Sequence, residues 1–274
     1  MIGRILAIAS AELSIAVRNR WVAIAATLMM VFSLALTFAG SGPTGALGVD
    51  LLTVSVASMT TLSVYLVPLL ALLLAFDAIA GEVERGGLAL ILTYPVSRGE
   101  ILLGKFLAHI FVLALAIGLG FGTSGIAAWI VGGADSESLL ALARLTVSAI
   151  VLGATFLAVG YGLSALSKGS AAAAGMAIVV WVVLVVLYDL GLLGALVYDS
   201  GGTFTQQVFP WLLAANPADA FRLFNLAGSD QLALATGLTG AAAAMPDWAA
   251  SVSLITWPVV ALLLARLALR RTEP

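Results

Sequence analysis

Very few side chains in this sequence combine a titratable group with a position in or beside an apolar stretch. Asp77, Lys105 and Asp189 occupy such positions, and His109 is the single histidine. An ionisable group inside a membrane costs roughly 2.5 to 3.5 kcal/mol on insertion scales, so it indicates a function unless a partner neutralises it. A structural ion pair is the commoner role, and we predict that Asp77 pairs with Lys105 or Arg98. For His109 we predict a hydrogen bond between helices rather than metal binding.

Residue types that bind soft metals or attack substrates are scarce. The chain has no cysteine, and its six methionines are scattered along the sequence. A soft-metal pathway requires clustered thiolate or thioether ligands, so we interpret the methionines as packing residues. An enzyme active inside the membrane would need several polar side chains close together. The sequence therefore favours a non-catalytic protein that binds no cofactor directly.

Two glycine patterns match nucleotide-binding motifs only in their letters. Residues 99–106 have the spacing of a phosphate-binding loop, but Phe106 replaces the hydroxyl residue and no strand precedes the motif. Residues 120–125 match a dinucleotide-binding fingerprint, yet they lie within an apolar run without a βαβ unit. Neither pattern therefore predicts a nucleotide site in this chain. Small residues are expected instead to let membrane helices approach closely at Gly118, Gly122, Gly153 and Gly160.

The elements that position these residues are membrane-spanning helices. Hydrophobic residues make up 62% of the 274 residues and charged residues 9%, against about 45–50% and 25% in soluble domains. The apolar residues form runs of about twenty, which is the length that a helix needs to cross a bilayer. Because the runs are uniformly apolar, they do not suit the alternating strands of a barrel. We predict an all-α membrane protein with six transmembrane helices at residues 21–39, 53–75, 101–131, 139–166, 171–197 and 248–269.

Basic residues are distributed unevenly between the two sides of this arrangement. Only Arg144 and Arg222 of the twelve lysines and arginines fall on the side opposite the termini. Since basic residues are enriched in cytoplasmic loops, we predict that both termini are cytoplasmic. An apolar stripe at helical spacing in residues 1–19 predicts an interfacial elbow helix, and residues 20–274 would form the transmembrane domain. The net charge of -2, without a basic cluster, argues against a nucleic-acid partner.

One substantial loop is predicted on the cytoplasmic side. Residues 80–100, which we call the coupling loop, are expected to hold a short helix that ends at Pro95, because the residue before a proline avoids the helical region. Ser97 and Glu100 then have the spacing of a capping box that begins the third span. The coupling loop is thus predicted to be a docking element with a rigid exit.

The longest loop on the outer side, residues 198–247, contains its own helix start. Asn216 is a suitable N-cap, Pro217 fits the first helical position, and Asp219 favours the positive end of the helix dipole. The helix that follows is amphipathic, so we predict that it lies on the outer membrane surface. There it would expose Phe221, Arg222 and Phe224 to a partner.

Three segments resemble those of one family of membrane transporters. They are AFDAIAGE at residues 75–82, LTYPVSR at residues 92–98 with ILLGK at residues 101–105, and NPADAFR at residues 216–222 with Asn225 and Leu226. With an elbow helix and six spans, the chain resembles ABC-2 type permeases of the type V exporter-like kind. It is more similar still to permeases of the copper-processing ABC systems that serve nitrous oxide reductase maturation. The similarity extends over nearly the whole chain.

The resemblance implies a homodimer in the inner membrane of a bacterium, surrounded by membrane lipid. Two cytoplasmic ATPase subunits would hydrolyse ATP, and a periplasmic maturation protein would bind outside. The permease would couple ATP hydrolysis to copper-site maturation of nitrous oxide reductase. By this likeness the ATPase would contact the coupling loop at Glu82, Glu84, Arg85, Leu88, Leu92, Tyr94 and Arg98.

Copper itself has no visible path, because clustered soft ligands are missing from the sequence. We therefore expect the permease to transmit ATP-driven motion to its outside partner. The residues expected to contact that partner are Asn216, Asp219, Phe221, Arg222 and Phe224. An ABC-2 exporter of a lipid, a drug or another hydrophobic substrate would share the same general features and is the alternative.

Overall fold

A computed structural model describes residues 2–16, 20–39, 51–133, 135–199, 201–226, 245–246 and 248–272. Every regular element in these ranges is helical, which confirms the all-α prediction. Much of the predicted outer loop, at residues 227–244, lies outside the described residues. The α-helices are α1 (Ile2–Ala16), α2 (Arg20–Ala39), α3 (Leu51–Ala75), α4 (Asp77–Glu84), α5 (Gly87–Ile91), α6 (Arg98–Gly132), α7 (Ser136–Leu166), α8 (Ser170–Trp181), α9 (Tyr188–Asp199), α10 (Phe209–Ala215), α11 (Pro217–Leu226) and α12 (Trp248–Arg271).

Five helices in the described part of the chain are long and apolar enough to cross a membrane. They correspond to the second to sixth predicted spans and cover Leu51–Glu84, Arg98–Gly132, Ser136–Leu166, Ser170–Asp199 and Trp248–Arg271. Helix α2 contains a shorter apolar stretch, Ala26–Phe38, at the position of the first predicted span. That first span therefore stays a prediction.

Local sequence signals fix several helix ends. The Ser97 side chain accepts a hydrogen bond from the Glu100 amide, and the Glu100 side chain accepts one from the Ser97 amide, which confirms the predicted capping box. Asp135 caps α7 by accepting from the Ser138 amide at 2.7 Å. Hydrogen bonding from the Ser138 amide, and then from its hydroxyl, lowers the pKa of Asp135. Helix α5 ends at Ile91, before Pro95, so the predicted end of the short helix was placed too late.

Helix α7 lies at the centre of the bundle and packs against α3, α6 and α12. Its residues Leu152, Phe156 and Tyr161 are completely buried. Close packing occurs at two predicted glycines, because an added Cβ would lie 2.3 Å from Leu113 at Gly153 and 2.6 Å from Ala75 at Gly160. A side chain at Gly160 would force α3 away, whereas one at Gly153 would require the Leu113 side chain to move.

The predicted packing of Gly118 and Gly122 does not occur among the described residues of one chain. There an added Cβ would meet no heavy atom within 4 Å at either glycine. Gly120, between them, faces α2 instead, and its Cβ would lie 3.2 Å from the Met29 backbone. The error arises because small residues at a spacing of four recur on several faces of one helix, and the sequence alone does not show which face meets a neighbour.

Candidate functional site

The coupling loop is built from two short helices that join α3 to α6. Helix α4 follows α3 after a break at Phe76, and the Ser164 hydroxyl of α7 accepts hydrogen bonds from the amides of Ile79 and Ala80 at 3.0 and 2.9 Å. The same hydroxyl donates to the Phe76 carbonyl at 2.5 Å. Gly86 then takes a positive φ of 70° before α5, a conformation that glycine adopts without strain. One side chain of α7 thus holds the start of α4.

The structure divides the predicted ATPase-contact residues into an exposed and an inward-facing set. Glu84, Arg85 and Tyr94 are exposed, and Leu92 is half-buried. Leu88 is 1% exposed, so its predicted direct contact with a partner is wrong. Leu90, which was not predicted, is 65% exposed. On such a short helix the sequence does not show which leucine faces inward.

Glu82 and Arg98, both predicted as ATPase contacts, are used inside the protein. Glu82 pairs with Lys105, whose Nζ lies 3.2 Å from its Oε1. Arg98 donates to the carbonyls of Leu269 and Thr272 at 2.7 and 2.5 Å. Because the last carbonyls of a helix lack partners within it, Arg98 stabilises the end of α12. Both residues position the coupling loop and do not form its outer surface.

Lys105 is the centre of an ion network between three helices. Its side chain is 4% exposed, and its Nζ lies 2.7 Å from Glu12 on α1 and 3.2 Å from Glu82 on α4. The predicted pairing of Asp77 with Lys105 or Arg98 is wrong. Asp77 lies at the start of α4 and contacts Arg85 at 3.3 Å and the Ser170 hydroxyl. Helix α4 continues beyond Asp77, and this brings Glu82 to Lys105.

His109 lies one turn beyond Lys105 on α6. Its Nδ1 is 2.6 Å from the Tyr161 hydroxyl of α7, and its Nε2 is 3.5 Å from Glu12. This confirms the prediction that His109 makes a hydrogen bond between helices. Through these contacts the Lys105 network reaches the central helix α7. Helix α1 packs closely here, since an added Cβ at Gly104 would lie 2.7 Å from Ile8.

The exit of the coupling loop is fixed to both ends of the chain. Arg4 donates to the Pro95 carbonyl at 2.5 Å and lies 3.9 Å from Glu100. Arg98 contacts the end of α12, and the Thr272 hydroxyl donates to the Ala165 carbonyl of α7 at 2.9 Å. The elbow helix, the coupling loop and the end of α12 therefore lie at one end of the bundle.

Helix α11 was predicted to lie exposed on the outer surface, and this is wrong. It packs among α3, α7 and α12, and Asn216, Asp219 and Phe221 are 3%, 1% and 0% exposed. The Asn216 amide donates to the Leu184 carbonyl at 2.7 Å, within the π-helical segment Val182–Leu187 that links α8 to α9. An amphipathic pattern does not distinguish a membrane surface from a groove of the bundle.

Arg222 neutralises charge at this second end of the bundle. Its guanidinium lies 2.9 Å from Asp189 on α9 and 2.9 Å from Asp219 on its own helix. Asp189 therefore has a structural ion partner, which the sequence did not identify. Burial, followed by the charge of Asp189, raises the pKa of Asp219 above its ordinary 3.8. Phe224 is half-buried, with the Arg144 guanidinium 5.8 Å from its ring centre.

The described residues contain no group of three or more histidine, aspartate or glutamate side chains that could hold a metal ion. Asp189 and Asp219 do come together, but the Arg222 cation already lies between them. The two buried methionines that the sequence assigned to packing, Met29 and Met59, lie in the apolar core. The charged residues that do come together connect helices to one another.

A multi-pass bundle with a short-helix loop fixed to the elbow helix and the chain end defines a membrane permease of the ABC type. The family model described as ABC-2 family transporter protein matches residues 6–273, and the chain belongs to this family. It is 42% identical over 268 residues to the probable ABC transporter permease protein NosY of Stutzerimonas stutzeri. The identity to the protein of the same name from Pseudomonas aeruginosa is also 42%. Both alignments cover 96% of this chain and 97% of the relative.

Proposed function

We propose that this permease couples a separate cytoplasmic ATPase to a periplasmic partner during copper-site maturation of nitrous oxide reductase. The observation that carries the coupling role is the Lys105 network, which ties the coupling loop to α1, α6 and α7. A loop fixed in this way passes an applied force into the bundle instead of bending. The role in copper maturation is supported by the resemblance described above and by the 42% identity to proteins named NosY.

The ATPase docks on the exposed part of the coupling loop. Glu84, Arg85, Leu90 and Tyr94 combine two opposite charges with an apolar and an aromatic side chain. Aromatic residues with an apolar neighbour are typical centres of binding energy at protein interfaces. Two copies of the permease would present two such surfaces, one for each ATPase subunit.

Replacing Tyr94 with alanine tests this docking surface. We expect the affinity for the ATPase subunit to fall by about 2 kcal/mol, roughly 30-fold, as for an aromatic interface centre. Tyr198→Ala is the matched control, because Tyr198 is 93% exposed at the end of the apolar helix Ser170–Asp199 that lies away from the coupling loop. The readout is the ATPase concentration that gives half-maximal binding to the full-length permease in nanodiscs. Equal affinities for the two variants would show that the docking surface is elsewhere.

The same two tyrosines test the proposed orientation. Because the chain has no cysteine, a single cysteine at position 94 or 198 gives an unambiguous label. We expect position 94 to react with an impermeant reagent only from the cytoplasmic side, and position 198 only from outside. The reverse pattern would invert the topology and exclude docking of a cytoplasmic ATPase on the coupling loop.

Complementation tests the role in copper maturation. The chain would be expressed in a Stutzerimonas stutzeri strain that lacks its NosY permease, and the copper content of purified nitrous oxide reductase would be measured. We expect copper loading to be restored by the wild type and not by a variant with reversed charges at Glu84 and Arg85. A chain that inserts in the membrane and binds the ATPase, yet leaves the reductase without copper, would exclude the copper role and favour another substrate.

A further inference from the structure

A groove of about 350 Å³ lies between α1, the start of α6 and the end of α12. Its walls are apolar, with Ile5 on α1, Leu103 on α6, and Val259 and Leu263 on α12. Three of these side chains are also exposed on the outside of the bundle, by 38% at Leu103, 57% at Val259 and 54% at Leu263. Val259, Leu263 and Arg266 share one face of α12, because residues separated by three or four positions are neighbours on a helix. The groove is therefore an apolar track that ends at a cation.

Arg266 at the mouth of the groove has no acidic partner among the residues that the structure describes. The one carboxylate in the groove, Glu100, is already occupied. It accepts hydrogen bonds from the Ser97 amide and hydroxyl at 2.8 and 3.0 Å, and it lies 3.9 Å from Arg4. Arg270 follows one helical turn beyond Arg266 and is exposed. Within the described part of the chain, the mouth of the groove thus carries a cation without an acidic ion partner of its own.

We propose that this groove binds an anionic phospholipid of the surrounding membrane. The phosphate would pair with the Arg266 guanidinium, and one acyl chain would lie along Leu263 and Val259. Basic pockets between transmembrane helices are established sites for anionic headgroups. Charge complementarity selects this occupant over a zwitterionic lipid, whose own cation would face the arginine.

The bound lipid would also touch the exit of the coupling loop. Gly99 lies beside the guanidinium, since a Cβ added there would be 3.7 Å from the Arg266 Nε. Ser97 and Glu100, which form the capping box of α6, line the same groove. A lipid at this position fills the space between α1, α6 and α12 and would hold the exit of the coupling loop against both termini. The inference is independent of which substrate or partner the permease serves.

Lipid retention by the purified full-length permease tests the proposal. Wild type, Arg266→Gln and Arg271→Gln would be exchanged into micelles with equal amounts of phosphatidylglycerol and phosphatidylcholine, and bound lipid counted by native mass spectrometry. Arg271 is a matched control because it lies five residues further along α12, on another face. We expect the wild type to prefer phosphatidylglycerol, and Arg266→Gln to lower that preference about fivefold, the effect of one basic residue near an anionic surface. Arg271→Gln should change it less than twofold.

A second variant separates the groove from the charge. Leu103→Trp keeps Arg266 but fills the apolar track, and it should reduce the number of retained phosphatidylglycerol molecules by one per chain. An absent preference for phosphatidylglycerol, or equal effects of the two arginine variants, would overturn the proposal. A change in oligomeric mass with Arg266→Gln, without a change in lipid, would also overturn it and make the groove an interface between copies of the chain.

Discussion

Replacing Lys105 with methionine removes the cation that pairs with both Glu12 and Glu82. Glu12 and Glu82 lie 2.7 and 3.2 Å from its Nζ, with side chains 15% and 23% exposed. Removing one partner from a buried ion pair costs about 3 to 5 kcal/mol, because the remaining charge is left uncompensated. Because Glu82 retains some access to water, we expect the free energy of unfolding to fall by about 3 kcal/mol, the lower end of this range.

This cost can be measured as a thermal shift of the full-length permease in detergent. A change of 1 kcal/mol moves the unfolding midpoint by about 2–4 °C in a chain of this size, which gives a loss of about 6–12 °C. Lys168→Met is the control, since Lys168 is exposed and has no ion pair among the described residues. Such surface changes stay within about 0.5 kcal/mol. Similar midpoints for the two variants would refute the structural importance of the network.

A triple variant tests whether the network also couples the ATPase to the bundle. Combining Lys105→Met with Glu12→Gln and Glu82→Gln removes all three charges, so no buried charge is left without a partner. Replacing all members of a buried ion network is often close to neutral for stability. The thermal midpoint of the triple variant should therefore be closer to that of the wild type than to that of Lys105→Met. If the ions themselves hold the coupling loop, permease-stimulated ATP hydrolysis should stay low in this stable variant. Full stimulation would show that the network contributes stability alone.

Three further expectations concern packing, pH and copper. Gly160→Leu should destabilise the permease by about 1 to 3 kcal/mol by overpacking against Ala75, whereas Gly118→Leu should be nearly neutral, as thermal midpoints would show. The pKa of Asp219 is raised on folding, so its contribution to stability is present below pH 3.8 and is lost as the pH rises through the raised value. Between about pH 6 and about pH 9 the wild-type midpoint should therefore fall more than that of Asp219→Asn, and parallel curves would contradict this. Replacing Met29, Met30, Met59 and Met176 with leucine should leave the copper content of the reductase unchanged, because volume-conserving swaps are tolerated. Loss of copper from the reductase with a stable variant would instead indicate that copper passes through the permease.

Structural features that depend on residues close together in the chain are predicted from the sequence. The capping box at Ser97 and Glu100 needs only a spacing of three, and it forms as predicted. Five of the six spans follow from uninterrupted apolar runs, because a helix in lipid satisfies its backbone internally. The packing of Gly153 and Gly160 is also anticipated, although two other glycines in the same kind of pattern meet no neighbour among the described residues of one chain.

Partners that come from distant parts of the chain are not predicted. Lys105 meets Glu12 across 93 positions, and the sequence favoured Asp77 because the second and third predicted spans meet there. The choice depends on how α4 and α6 are rotated about their axes, and an apolar helix carries little information about rotation when most of its faces are hydrophobic. The burial of α11 is missed for a related reason. Its polar residues find partners on α7 and α9, which the sequence places far away.

Helix α7 connects the coupling loop to α11. Near its C-terminal end Ser164 holds the start of α4, and near its middle the Ser148 hydroxyl and the Asn225 amide of α11 lie 2.9 Å apart. Helix α7 is unbroken between these two serines and spans about 24 Å there. A displacement of the coupling loop should therefore reach α11 through α7. We expect ATPase docking to change amide hydrogen exchange in α11, and Ser148→Ala to halve this response while ATPase affinity stays constant. Thr146→Val is the control, because the Thr146 hydroxyl donates within its own helix, to the Leu142 carbonyl, and has no other hydrogen bond to the described residues. An undiminished response in Ser148→Ala would mean that motion reaches α11 by another route.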